Sequence, residues 1–315
     1  MSKTILIAGG SGTLANAILP LILTNESVRQ IRILSRGEHH QASMQQRFND
    51  PRISWLLGDV SDYNRVEIAC RGVDEVYNFA AMKRVEAAQY NPSQAVKTNV
   101  IGSMSIVNAC IKNNVPKAIY VSTDKAVSPH TIYGASKYLG EQLHLSGNIG
   151  RHNSKFSSVL YGNVWCSQGS VIEKWIKQKK AGERLTVTNS SMTRFFITQR
   201  DAALFVYKAM QCMDQGECFI PRMKSAVLLD IVDTLGCEFD VIGNRSNEKM
   251  DEILFSKDES HLIRTLDDCF IRYPENPPYS INKRGDFYSG HEYSSLTAPR
   301  FSVEELKEML DAHSM

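Results

Sequence analysis

Between position 4 and about position 164, six short apolar runs alternate with segments of helical periodicity, and this rhythm leaves few folds open to the chain. Strands separated by helices cannot pair as hairpins. They line up in parallel, with helices on both faces of the sheet. The runs are residues 5–8, 31–34, 53–57, 75–78, 118–121 and 157–160, enough for a doubly wound α/β fold.

Beyond position 164 the rhythm becomes irregular. The spacing predicts a lysine-rich helix over 171–180, strands at 185–187 and 194–197, and a helix over 201–212. Residues 274–299 carry Pro, Gly, Asn and Ser without period and read as ordered loop. A last helix is expected over 302–313, with Ser302 as N-cap and Glu305 as its capping-box partner. We therefore expect two parts: a nucleotide-binding domain over 1–164 and a smaller α/β substrate lobe over 165–315, with some elements exchanged between them. At roughly 150 residues per domain, 315 residues suit that division.

Composition removes several classes of function. Lys plus Arg (36) nearly balances Asp plus Glu (34), a formal charge of +2, so the basic excess of a nucleic-acid binder is missing. The lysine-rich run 174–180 has the spacing of an amphipathic helix with a solvated face. No apolar run approaches the roughly 20 residues that span a bilayer, and the N-terminus has no signal-peptide pattern. The seven cysteines (70, 110, 166, 212, 218, 237 and 269) lack the pairing of a disulfide framework or a zinc site. These features predict a soluble, cytoplasmic protein with reduced thiols and no bound metal. His39-His40 has no companion ligands and is expected in solvent or near a cofactor phosphate.

Directly after the first apolar run stands Ala8-Gly9-Gly10-Ser11-Gly12-Thr13-Leu14-Ala15, which opens a helix. Backbone amides and the positive helix end at such a turn can receive a pyrophosphate, as in a Rossmann-type domain. Ala15 replaces the usual third glycine and is small enough for close packing. The second run ends in Ser35-Arg36 where a ribose-binding carboxylate would stand for NAD. A hydroxyl and a guanidinium suit a 2′-phosphate, so NADP is expected. Asp59, beside Val60 after the third run, could reach the adenine amino group, and Ala80 and Ala81 after the fourth let backbone lie against the cofactor.

Tyr133 and Lys137 are four residues apart at a helix start, hence on one face about 6 Å apart along its axis. An ammonium near a phenol lowers its pKa, so Tyr133 can take a proton from an alcohol as hydride leaves its carbon. Just upstream, at the carboxyl end of the fifth run, stand Thr123, Asp124 and Lys125. Hydride transfer needs one Ser or Thr there; a further acid and base suggest elimination. These five residues are the expected catalytic set.

On these residues the chain resembles the extended short-chain dehydrogenase/reductase family, and within it the inverting UDP-N-acetylglucosamine 4,6-dehydratases of pseudaminic-acid and capsular-sugar pathways. The resemblance runs nearly end to end. It is carried by Ala80-Ala81-Met82-Lys83, Tyr90-Asn91-Pro92, Lys97-Thr98-Asn99, Ser122-Thr123-Asp124-Lys125, Tyr133-Gly134-Ala135-Ser136-Lys137, Tyr161-Gly162-Asn163-Val164, Gly169-Ser170-Val171, Met192-Thr193-Arg194-Phe195, Glu248-Lys249 and Lys257-Asp258-Glu259-Ser260-His261.

The resemblance implies a redox-neutral dehydration. Hydride passes from C4 of the sugar to NADP while Tyr133 removes the hydroxyl proton; Lys125 takes the C5 proton, Asp124 protonates the departing 6-hydroxyl, and Thr123 polarises the C4 oxygen. Hydride then returns at C6 and C5 is reprotonated from the opposite face. Lys83 and Val164 would join the cofactor contacts. Lys83 and Asn163 would touch substrate, Gln168, Gly169, Ser170, Val171 and Ile172 would hold its nucleotide end, Arg194 and Arg245 its diphosphate, and Glu248 its ribose. Homo-oligomers are expected. The chain departs from the subgroup at Leu160, Trp165-Cys166, Gln168 and Ser246-Asn247, along the expected sugar and diphosphate path. The alternatives are a 5,6-dehydratase that releases an alkene, and a UDP-sugar C4 epimerase or reductase.

Overall fold

Strand β1 (Lys3–Ala8) lies third from one edge of a ten-stranded sheet in this computed structural model, which describes residues 2–244 and 247–312. The strands of this sheet and of its smaller neighbour, in chain order, are β1, β2 (Val28–Ser35), β3 (Ile53–Leu57), β4 (Glu75–Asn78), β5 (Lys117–Val121), β6 (Lys155–Val159), β7 (Asn163–Val164), β8 (Thr193–Ile197), β9 (Cys218–Pro221), β10 (Lys224–Val227), β11 (Ile263–Leu266), β12 (Cys269–Arg272) and β13 (Asp286–Phe287). The large sheet runs β13-β11-β12-β9-β6-β5-β4-β1-β2-β3, parallel from β9 to β3. This is a Rossmann-type sheet whose order reverses between β1 and β4, and ligands of such sheets bind at the carboxyl ends beside that reversal.

Parallel strands covered on both faces must be apolar on both, and β1 shows it: Ile5, Leu6, Ile7 and Ala8 are all buried. Helix α1 (Thr13–Leu23) covers one face together with α4 (Gln199–Cys212), burying Ile18, Leu19 and Ile22 against Val206 and Met210. Each such side chain contributes about 1.5–3 kcal/mol by leaving water. The other face carries the core of Val66, Val76, Ile106, Val107 and Phe156.

All six strands expected in the first half form. The irregular half holds more sheet than its sequence suggested. Strands β9, β11, β12 and β13 extend the large sheet, β12 antiparallel to β9, and β7, β8 and β10 form a three-stranded sheet. The stretch expected as loop over 274–299 contributes β13 and the short strand Tyr293–Ser294. A third core gathers Trp165, Trp175, Phe196, Ile231 and Leu306. Helix α3 (Val171–Lys180) and the last helix α5 (Val303–Asp311) form as expected, with the Ser302–Glu305 capping box in place; His313, at the expected end, lies outside the described residues.

Candidate active site

A single cleft of about 1140 Å³ runs along the carboxyl ends of the parallel strands, from the glycine turn to the loop that precedes strand Ile253–Phe255. Its floor at one end is the turn after β1. Gly9 has φ +77°, and a Cβ there would stand 2.6 Å from the Ala80 backbone nitrogen, so only glycine lets the two loops meet. Helix α1 starts at Gly12 with no side-chain cap, which leaves its first amides available to an anion. Ser11, Thr13, Leu14, Ala80, Ala81, Lys83 and Val164 line the same wall.

The end of β2 offers Ser35 and Arg36 to the cleft, with His40 behind them. The Ser35 hydroxyl accepts from the Gln41 amide at 2.8 Å, and Arg36 is more than half exposed, 3.4 Å from Asp59. Val60 lines the cleft but Asp59 does not: its carboxylate accepts from the Ser61 amide and hydroxyl, both at 2.9 Å. Those bonds hold it below its ordinary pKa although burial pushes the other way. Asp59 thus braces its loop and Arg36, a reason for the carboxylate different from the adenine contact expected.

The chemical centre lies where β5 ends. Thr123 caps the single turn Asp124–Ala126, and helix α2 (Ile132–Ser146) packs onto that turn so closely that a Cβ on Gly134 would overlap the Lys125 carbonyl. The glycine inside the Tyr-x-x-x-Lys spacing is what brings Tyr133 beside Lys125. Helix α2 is held from behind by buried Glu141, which accepts from Ser122 (2.5 Å), Ser158 (3.1 Å) and Arg272 (2.8 Å), tying it to β5, β6 and β12.

Thr123, Lys125, Tyr133 and Lys137 line the cleft; Asp124 does not. Asp124 is fully buried one layer behind, its Oδ1 accepting from the Thr123 hydroxyl and the Lys125 ammonium, both at 3.0 Å. Its Oδ2 is buried without a partner. Lys125 also donates to Asn163 at 2.9 Å and lies 3.3 Å from Glu252. Burial alone would lower the Lys125 pKa, but Asp124 and Glu252 outweigh it and hold the side chain well above the ordinary lysine value, as an ammonium.

Tyr133 and Lys137 have different surroundings. Burial raises the Tyr133 phenol, and the groups that pull it back are the Lys125 charge and the Thr123 hydroxyl. Lys137 is turned elsewhere: its ammonium donates to the Val121 carbonyl at 2.6 Å and sits over the Tyr120 ring at 3.9 Å. Burial pushes Lys137 down to about 7. Four-residue spacing put Tyr133 and Lys137 on one face of α2, but a buried carbonyl outbid the phenol for the ammonium.

On the substrate side, Lys83, Asn163, Gln168, Gly169, Ser170, Val171, Ile172, Arg194 and Glu248 all line the cleft, while Arg245 lies outside the described residues. Lys83 makes no hydrogen bond among the described residues; burial lowers its pKa and the Glu173 charge opposes that fall. The Gln168 amide donates to Thr13 at 3.4 Å, Ser170 caps α3, and Ile172 is buried in the core of Trp165 and Trp175. Arg194 is also buried, and its two terminal nitrogens are spent on the Thr193, Lys249 and Met250 carbonyls, on Met192 sulfur and on Glu248. Instead of standing free for a diphosphate, it clamps the loop that carries Glu248. Glu248 keeps Oε2 buried and without a partner among the described residues, an acceptor that a hydroxyl can satisfy.

Leu160 and Trp165, expected along the sugar path, are core residues; Trp165 packs on Phe196 and donates to the Met309 carbonyl at 3.1 Å. Of the two adjacent histidines, His40 lines the cleft. Among the described residues no group of three His, Cys, Asp or Glu is placed to hold a metal ion, and no helix is long and apolar enough to cross a membrane. Glu252 and Lys249 also line the cleft. Glu252 escaped the sequence reading because nothing marks it before the fold brings it to Lys125.

A family model described as "Polysaccharide biosynthesis protein" matches residues 5–274. The chain is 36% identical to a protein of Campylobacter jejuni (strain 81-176) named UDP-N-acetylglucosamine 4,6-dehydratase (inverting), covering 98% of this chain and 96% of that one. It is also 36% identical to a Rickettsia massiliae protein named UDP-glucose 4-epimerase, at the same coverage of both chains. Among solved structures it resembles Pen from Bacillus thuringiensis, with a TM-score of 0.93, 33% identity, and coverage of 99% of this chain and 98% of that one.

Proposed function

The chain belongs to the polysaccharide biosynthesis protein family, and from that premise we propose that it is a nucleotide-sugar 4,6-dehydratase acting on UDP-N-acetylglucosamine, with inversion at C5. The observation that carries this reading is the meeting of Thr123, Lys125, Tyr133 and Asn163 in the one cleft that also contains the uncapped start of α1. The dinucleotide we assign to it is NADP. Gly9, Ser11, Gly12, Thr13 and Leu14 would hold its pyrophosphate, Ser35 and Arg36 its 2′-phosphate, and Val60, Ala80, Ala81, Lys83, Lys137 and Val164 its remaining length, with Asp59 bracing Arg36. When bound, the nicotinamide would supply the acceptor for hydride leaving C4 and return it at C6, without net reductant.

The rest is done by this chain. Tyr133 takes the 4-hydroxyl proton, helped by the Lys125 ammonium and the Thr123 hydroxyl. The C4 ketone then makes the C5 hydrogen acidic. For Lys125 to take that hydrogen as a proton it must first yield its own, and Asp124, 3.0 Å away, is placed to receive it. Lys125, once it carries the C5 proton, passes a proton to the departing 6-hydroxyl and takes back the one held by Asp124, so a C5–C6 double bond forms as water leaves and the pair regains its starting charges. Asn163 fixes the Lys125 amine, Lys83 meets the negative diphosphate, and Glu248 accepts from the ribose. Arg194 acts by holding Glu248, and the segment Gln168, Gly169, Ser170, Val171 and Ile172 closes the nucleotide end. Arg245 is assigned to the diphosphate by resemblance alone. We further propose a cytoplasmic homo-oligomer, which the seven free cysteines suit, divided into lobes 1–164 and 165–315 that share the large sheet.

A C4 epimerase, the activity in the name of the Rickettsia relative, needs Tyr133 and Lys137 but no base at C5. Mass spectrometry of UDP-N-acetylglucosamine incubated with the protein and NADP decides between them. A dehydratase gives a product lighter by one water; an unchanged mass contradicts the assignment.

A further inference from the structure

Glu252 stands immediately before strand Ile253–Phe255 and is 3% exposed on the cleft wall. Its backbone is pinned on both sides by Ser295: the Glu252 amide donates to the Ser295 hydroxyl at 2.9 Å, and its carbonyl accepts from the Ser295 amide at 2.8 Å. The carboxylate is thereby aimed at Lys125, with Oε1 3.3 Å from the ammonium. Oε2 is buried without a hydrogen-bond partner, and the Lys249 ammonium is 4.0 Å from it. Lys125 therefore lies between two buried carboxylates from distant parts of the chain. The Oδ1 of Asp124 is already committed to Thr123 as well, whereas the Glu252 carboxylate makes no hydrogen bond among the described residues.

We propose that Glu252 is a positioning residue: facing Lys125 from the C-terminal half of the chain, it holds that side chain in place as an ammonium during oxidation at C4 and sets the pH at which it can serve as base at C5. The second half of this proposal rests on the dehydratase reading. The charges around Lys125 are Asp124 on its own turn, Glu252, Arg194 from β8 and Lys249 from the preceding loop, with the Tyr133 phenol from α2. Glu252 is itself raised by burial, with Lys125 opposing that rise. Without its charge, Lys125 keeps one carboxylate against two cations and binds its proton less tightly.

The test follows the Lys125 Cε resonance against pH in the NADP-loaded protein made with 13C-labelled lysine, assigned with Lys125→Gln. In the wild type Lys125 should stay protonated above the ordinary lysine value of about 10.4. In Glu252→Gln its midpoint should fall by at least about one unit, a tenfold weaker hold on the proton, and Glu252→Asp should restore most of it. In parallel, C5 hydrogen exchange of the sugar in deuterated water should have its rising limb displaced to lower pH in Glu252→Gln by the same amount. A side chain that merely fills space would lower that rate at every pH and leave the limb in place. A wild-type Lys125 midpoint at or below the ordinary value overturns the proposal without any variant, as does an unmoved midpoint in Glu252→Gln. If the midpoint shifts as expected but the wild type neither exchanges C5 nor releases water, the clamp stands and the dehydratase reading falls.

Discussion

Lys125 shows how far residue types speak for themselves. That an acid and a base stood beside a tyrosine was plain from Thr123-Asp124-Lys125 and the Tyr133 spacing. Which of them faces the substrate was not, because neighbours along a turn point in different directions: Lys125 reaches the cleft and Asp124 is sealed behind it. His144 gives a residue-scale prediction unconnected to catalysis. It is buried in α2, shares a hydrogen bond with the Ala118 carbonyl at 3.2 Å, leaves Nδ1 without a partner, and is pushed down to about 4 by burial. A base whose folded pKa is depressed is neutral in the folded protein while it charges in the unfolded chain. Its contribution is complete above the unfolded pKa near 6.5 and is lost as pH falls towards 4. Between pH 6.5 and 5 this imidazole alone should remove about 1.5 kcal/mol of stability. Urea unfolding at the two pH values measures the loss, and His144→Leu should flatten the slope; an equal slope in both proteins would contradict the account.

Among elements, α2 is the piece that assembles the chemistry, since it carries Tyr133 and Lys137 and rests on the Thr-Asp-Lys turn at Gly134. Gly134→Ala should force the helix away from the Lys125 carbonyl, costing about 1–3 kcal/mol by overpacking and lowering kcat at least tenfold, as denaturant melts and steady-state rates would show. Wild-type values for both would mean that the close approach is dispensable. The six strands of the first half announced themselves because buried parallel strands carry short apolar runs and the helices between them have a clear period. Strands β9, β11 and β12 have four residues each and are flanked by Pro, Asp and Arg, so only pairing with β6 and with one another defines them. The resemblance assigned Arg194 to the diphosphate, and the sequence could not show how the side chain is held, because the carbonyls of Thr193, Lys249 and Met250 that occupy it meet only in the folded chain.

At the scale of the whole molecule, the cleft joins two halves of the chain: its cofactor end is built before position 164, and Glu248, Lys249 and Glu252 arrive from more than eighty residues later. In the function we propose, a site assembled in this way offers Lys125 as base at C5 of a sugar whose C4 lies near Tyr133. The measurement that tests this most directly is the NMR spectrum of the product formed from UDP-N-acetylglucosamine in deuterated water. Our account predicts deuterium at C5, a methyl group at C6 and a ketone at C4, all lost in Lys125→Ala. A product with hydrogen retained at C5 and an intact hydroxymethyl group at C6 would contradict it.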